Sequence, residues 1–310
     1  MSITPENLDS DLLVGNYCVS FIDLLGQRAA LQGQGLLPPF ESEDERKKLD
    51  AILRESIGAI TKLQSRAEDM LYGILNPDPE SPSRAALPPE QHALWDEMQR
   101  TRVTTQRWSD GLVSFACLGD REVKCRMNGV FGLFGLAGTL CLLGLATRRP
   151  VRGAIEVAWG VELHPGELYG AAVGRAYELE SEVAQYPRIV VGSETVKLLQ
   201  AHRANPGQDP FSQIDRKLAE LCLGMLAQDV DGYWLLHYLG EEFQHAVSHS
   251  HHAELYTTAR KFVYEQLLEH RASLNTKLAF RYSHLLQYFD AHPPATPESA
   301  QPIIPPDAAR

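Results

Sequence analysis

Three residues offer chemistry. Asp23 ends the alternating run Asn16-Tyr17-Cys18-Val19-Ser20-Phe21-Ile22, Asp110 sits in Ser109-Asp110-Gly111, and Arg152 heads Val151-Arg152-Gly153-Ala154-Ile155. An acid that closes an apolar strand is costly to bury unless a positive charge meets it. Two carboxylates brought close together repel, and a divalent cation between them relieves that repulsion. Two such ions, about 3.5–4 Å apart, activate an attacking oxygen and hold the phosphate under attack. A guanidinium beside them matches phosphate oxygens two at a time. The combination is phosphoryl chemistry. Both acids also have plainer readings, Asp23 as the cap of a following helix and Asp110 as an ordinary turn residue.

Bringing the three together requires neighbouring strands. Residues 16–23 alternate as a strand and run into Leu24-Leu25-Gly26-Gln27-Arg28-Ala29-Ala30-Leu31, a helix opening whose N–H groups favour phosphate. Gln32-Gly33-Gln34-Gly35 and Pro38-Pro39 break that helix. From 43 to 75, Leu49, Ile52, Leu53, Ile57, Ile60, Leu63 and Leu71 recur at helical spacing. A proline-rich exposed loop over 76–90 and a short helix over 92–99 follow. Strand-like runs flank Ser109-Asp110-Gly111, hairpin chemistry in which the glycine is expected to supply the positive φ. Further along, the pattern predicts a glycine-rich helix over 128–146, strands at 151–160 and 167–170, and a helix over 172–184. A strand at 187–192 and a helix capped by Ser193 come next, then a helix and strand within 216–239 and two amphipathic helices over 253–289.

This order predicts an α+β fold, a mixed sheet with helices on one side. The expected organisation is a lead-in (1–15), a catalytic domain (16–240, with an insertion at about 32–100), a C-terminal helical extension (241–291) and a disordered tail (292–310). Glycines 129, 132, 135 and 138 would let their helix sit close against the sheet. The apolar run 130–146 is slightly short for a membrane span, which takes about 20 residues, and reads as a buried core helix.

The 310 residues are 44% hydrophobic, enough for one large core with additions. A net charge of −11 argues against nucleic-acid binding through a broad basic face, yet is compatible with nucleoside triphosphate held by metal and a few arginines. Cys18, Cys117, Cys125, Cys141 and Cys222, odd in number and without Cys-x-x-Cys spacing, read as free thiols in a reducing, cytoplasmic setting. No basic-then-apolar signal segment opens the sequence. His245, His249, His251 and His252 read as a solvated polar cluster rather than a metal site.

In their order along the chain these motifs resemble the class III nucleotidyl cyclases. Phe21-Ile22-Asp23-Leu24-Leu25-Gly26 is similar to that family's first metal-binding strand end, and Trp108-Ser109-Asp110-Gly111 to its second metal aspartate in a hairpin. Val151-Arg152-Gly153-Ala154-Ile155 resembles its phosphate-binding strand, and Tyr169 to Ser181 the segment that serves the partner subunit. The resemblance implies a palm-type, ferredoxin-like sheet. It implies two Mn²⁺ or Mg²⁺ ions held by Asp23, Asp110 and the Leu24 carbonyl, with Phe21, Leu24, Leu25, Gly26 and Arg152 around the nucleotide.

The chain departs from the family where an asparagine and an arginine steady the transition state, holding Gly174 and Glu178 instead, with Arg175 adjacent as a substitute charge. At the purine-reading positions stand Gln106 and Glu167. Such departures resemble the bacterial pyrimidine cyclases of the Pycsar antiphage systems. That resemblance implies a homodimer converting UTP to 3′,5′-cyclic UMP, acting on a cyclic-nucleotide-binding effector, with no nucleic-acid or membrane partner. Cytidylate cyclase, purine cyclase and a catalytically silent nucleotide-binding scaffold remain alternatives.

Overall fold

The computed structural model describes residues 14–26, 42–75, 78, 80–119, 122–204, 207–247 and 252–294. Of the helix expected to open at 24–31, Leu24 ends a strand and Leu25-Gly26 form a turn, and the remainder, with His249, His251 and the tail past 294, lies outside the described residues. Strand β1 (Gly15–Leu24) is buried on both faces through most of its length, and the molecule is built around it. It pairs antiparallel with β3 (Gly111–Cys117) on one side and β4 (Val151–His164) on the other. Outside β3 lies β2 (Val103–Trp108). Beyond β4 the sheet continues through β6 (Ile189–Val191), β8 (Trp234–Leu236) and β7 (Leu226–Gln228), with β5 (Glu167–Tyr169) pairing on β4. Only β4 and β6 pair in parallel, so the sheet is open, eight-stranded and mostly antiparallel. The chain is of mixed α/β character.

Ten helices are described. They are α1 (Glu43–Leu75), α2 (Pro82–Ala85), α3 (Pro89–Met98), α4 (Met127–Ala146), α5 (Ala171–Glu178), α6 (Ser193–Ala204), α7 (Pro210–Gly224), α8 (Glu241–Ala246), α9 (His252–Ala272) and α10 (Thr276–Ala291). The main helical layer covers one sheet face, where Cys18, Ile22 and Leu24 share a core with α1, α4, α7, α9 and α10. The opposite face is not bare, contrary to the one-sided arrangement expected. Tyr17, Val19 and Phe21 pack there against Ala172, Val173 and Ala176 of α5, because β1 is apolar at odd and even positions alike. The C-terminal helices belong to the main core rather than hanging from it.

Helix α4 is long and apolar enough to cross a membrane, yet 83% of its most apolar window is buried inside the fold. Its first turn has no acid of its own. Asp215, from α7, supplies one and accepts from the Met127 N–H at 3.0 Å. The glycine stripe serves other helices more than the sheet. Gly129 faces Ala116 of β3, but a side chain at Gly138 would strike the Phe243 ring of α8. In α1 the buried line is Ala59, Leu63, Ala67 and Leu71, whereas Leu53 and Ile57 are exposed. Leu63 and Leu71 mark the contact face as expected and Ile60 packs against it, while Ala59 and Ala67 let α1 approach α4 where Leu53 and Ile57 do not. At α6 the expected Ser193 cap is replaced by a tertiary one. The buried carboxylate of Glu156 accepts from the Thr195 N–H and hydroxyl, both at 3.0 Å.

Candidate active site

The end of β1 gathers the predicted residues. Asp23 stands opposite Gly111 of β3 on one side and Arg152 of β4 on the other. Asp110 precedes Gly111 in the two-residue turn that joins β2 to β3. The positive φ of that turn lies at Ser109, at 50°, and not at the glycine that the motif suggested. Gly111 matters for space instead, because a side chain there would press on the Ile22 and Trp108 carbonyls at 3.2 and 3.3 Å. Gly153 serves a similar purpose across the strand pair. A Cβ there would meet the Phe21 carbonyl at 2.5 Å, so the residue after Arg152 sets how closely β4 approaches β1.

Arg152 is shared between two acids. Its Nη2 lies 3.7 Å from Asp23 Oδ2, and its Nε lies 2.5 Å from Glu180 Oε1. Neither the Nε nor the Oε1 has hydrogen-bond geometry, so this second contact is one of charge. Glu180 was not legible as a site residue. It follows α5 on a single π-helical turn (Leu179–Val183), four residues after Ala176 and on the same buried face. Its side chain is 2% exposed. Burial pushes the Glu180 carboxyl up to about 7. Arg152 pulls the other way, and the negative charges of Asp23 and Asp110 add to the rise. Four charged groups from four separate segments therefore act on one another at this end of the sheet.

Other expected residues are placed differently. The Phe21 ring is buried between Trp108 and Tyr177, with centroids 5.9 and 5.4 Å away, and is not presented to a ligand. The Leu25 N–H donates to the Pro150 carbonyl at 2.9 Å, so it is engaged within the chain rather than offered to phosphate. Gly26 follows, exposed and at φ +95°. Gln106 lies on β2 opposite Val113, and its Oε1 accepts from the Leu168 N–H at 3.2 Å. Its amide N–H₂ is the remaining polar end. Arg175 is outside the cluster, exposed on the outer turn of α5, where its charge helps hold the Glu194 carboxyl low, behind the closer Lys197. Gly174 and Glu178 share that exposed surface.

Asp23, Asp110 and the Leu24 main-chain oxygen are hard-oxygen donors of the kind Mg²⁺ and Mn²⁺ take. Among the described residues, no three His, Cys, Asp or Glu side chains gather as a metal-binding group, and Glu180 is turned to Arg152. The residues present thus fit a cation held by two carboxylates, a backbone oxygen and the ligand's own oxygens. The arrangement offers two acids beside a guanidinium at one end of the sheet. Compared with protein-family models, with curated proteins and with solved structures, the chain matches none of them.

Proposed function

We propose that the protein is a pyrimidine nucleotide cyclase of the class III type, converting UTP to 3′,5′-cyclic UMP and pyrophosphate. The observation that carries this reading is the register of β1, which sets Asp23 between the Asp110 hairpin and Arg152. In the reaction the ribose 3′-oxygen bonds to the α-phosphorus, the hydroxyl proton is lost, and the bond to the pyrophosphate oxygen breaks. Mn²⁺ or Mg²⁺, held by Asp23, Asp110 and Leu24, would supply acidification of the hydroxyl and charge neutralisation. Arg152 binds the charge that builds on the departing pyrophosphate, and Glu180 orients Arg152 for that contact. Gln106 supports uracil over cytosine. With its oxygen engaged by Leu168, it presents a donor, which suits the O4 acceptor of uracil and not the N4 amino group of cytosine.

A homodimer completes the reading. Arg175, with the exposed rings of Trp108 and Tyr177 beside the site, lies where a second copy would cover it. The product would act as a cytoplasmic second messenger for a cyclic-nucleotide-binding effector in antiphage defence. Incubating the purified protein with each of the four ribonucleoside triphosphates and Mn²⁺ tests the proposal. Cyclic UMP as the main product supports it, and cyclic CMP or a cyclic purine nucleotide moves the base assignment. Metal-dependent UTP binding without product would favour a second reading, a silent nucleotide-binding scaffold. That reading draws on Gly174 and Glu178, which leave the family's transition-state positions without their usual side chains.

A further inference from the structure

The C-terminal helices wall a cavity of about 520 Å³ at the same end of the sheet as Asp23. Leu25, Gly26 and Arg152 line it from the sheet side, and His270 of α9 and Arg281 of α10 from the helical side. Arg281 donates to Gln185 Oε1 at 2.6 Å, and among the described residues no carboxylate pairs with it. Partial burial and the like charge of Arg152 hold its guanidinium below the usual arginine range. Its place is set by packing on either side. Tyr282 is buried in the main core, and one turn on His284 meets Asp229 at 3.0 Å and stacks edge-on against Tyr186 at 5.4 Å.

Two guanidiniums line one cavity and act on each other as like charges, Arg152 already facing Asp23 and Glu180 and Arg281 held by Gln185 on a helix fixed by its neighbours' packing. A multiply charged anion between them removes the repulsion, and phosphate oxygens match the guanidinium fork. We infer that the helices complete an oligophosphate subsite, with Arg281 and Arg152 gripping the terminal phosphates of a nucleoside triphosphate or free pyrophosphate. The identity of the ligand rests on the nucleotide reading above, whereas the grip itself rests on the cavity and the two arginines. Arg281 is a phosphate-binding residue and takes no covalent part.

Calorimetric titration of the full chain with inorganic tripolyphosphate in Mg²⁺ tests this. Arg281→Gln should weaken binding about tenfold or more, the scale of a charge-assisted contact, while Arg271→Gln, an exposed arginine on the same helical hairpin, leaves it unchanged. Equal affinity in Arg281→Gln and the native chain, or no binding by the native chain, overturns the inference. A readout independent of any variant's folding is modification of native arginines by phenylglyoxal, followed by mass spectrometry. Tripolyphosphate should protect Arg281 and not Arg271, and equal labelling of Arg281 with and without it counts against the subsite. Native turnover of UTP with unaltered tripolyphosphate binding in Arg281→Gln would sink this inference and keep the cyclase. Loss of tripolyphosphate binding in a protein that cyclises no nucleotide would do the reverse.

Discussion

Two arginines, Arg188 buried and Arg152 partly exposed, touch the same π-helical turn, and they are held very differently. Arg188 is 6% exposed at its side chain and is bonded through both terminal nitrogens, while its buried Nε has no hydrogen-bond partner among the described residues. It pairs with Asp229 and donates to Asp231 at 2.6 Å and to the Val183 carbonyl at 2.7 Å, its ring neighbour Tyr186 also bonding Asp229. Arg152 is 21% exposed and answers Asp23 only at 3.7 Å and Glu180 through a poorly angled contact. The first guanidinium has both terminal nitrogens committed inside the fold and serves as a structural staple between the π turn and the connection from β7 to β8. The second keeps donors that a phosphate could take. A buried cation bonded at both terminal nitrogens fixes architecture, whereas a partly exposed one between imperfect partners is poised for binding.

Breaking the staple should have the largest effect. Arg188→Ala leaves Asp229 buried without its cation and should cost about 3–5 kcal/mol in urea unfolding. A loss below about 1 kcal/mol would erase the distinction between the two arginines. Asp23→Asn or Asp110→Asn, in contrast, should leave the unfolding midpoint nearly unchanged while nucleotide turnover falls by about a hundredfold or more. Arg152→Lys sharpens the point further. It keeps the charge and loses the fork, and turnover measured at saturating nucleotide should drop about tenfold.

A smaller effect is expected from pH on the Arg188 side of the molecule. Burial, with the charge of His292, pushes His237 down to about 4, and its Nδ1 lies 2.9 Å from the Tyr288 hydroxyl. The unfolded chain takes up a proton near pH 6.5 that the folded chain refuses. Stability is therefore full above that value and falls as pH drops toward 4. Thermal midpoints between pH 7.5 and 4.5 should show the fall, and His237→Gln should flatten it. Smallest of all, Arg54→Ala removes an ion pair whose partners are 81% and 60% exposed, and should shift stability by no more than about 0.5 kcal/mol.

Much of the site could be read from residue order, and the rest could not for identifiable reasons. Alternation and turn chemistry marked β1, the hairpin and β4, and hence Asp23, Asp110 and Arg152. The motif assigned the positive φ to Gly111, yet Ser109 adopts it, since a two-residue turn distributes its dihedrals according to how the flanking strands pair. Glu180 escaped notice because an acid among Glu178, Ser181 and Glu182 reads as solvated, although it follows the buried Ala176 by four residues and so shares its face. The contact face of α1 was legible at Leu63 and Leu71 and missed at Ala59 and Ala67, small residues that permit close approach to α4 where the exposed Ile57 does not.

From the sequence alone came the segments able to form strands and helices, the acids and the arginine at their ends, and a core large enough to hold them. These follow from neighbours in the chain, whose side-chain period and turn residues act locally. Tertiary structure decided which charges meet: Glu180 on Arg152, Arg281 across the cavity, and Arg188 closed away from it. Such meetings depend on how distant elements pack, and the energy that selects a packing is shared by the whole core rather than written at the residues it brings together.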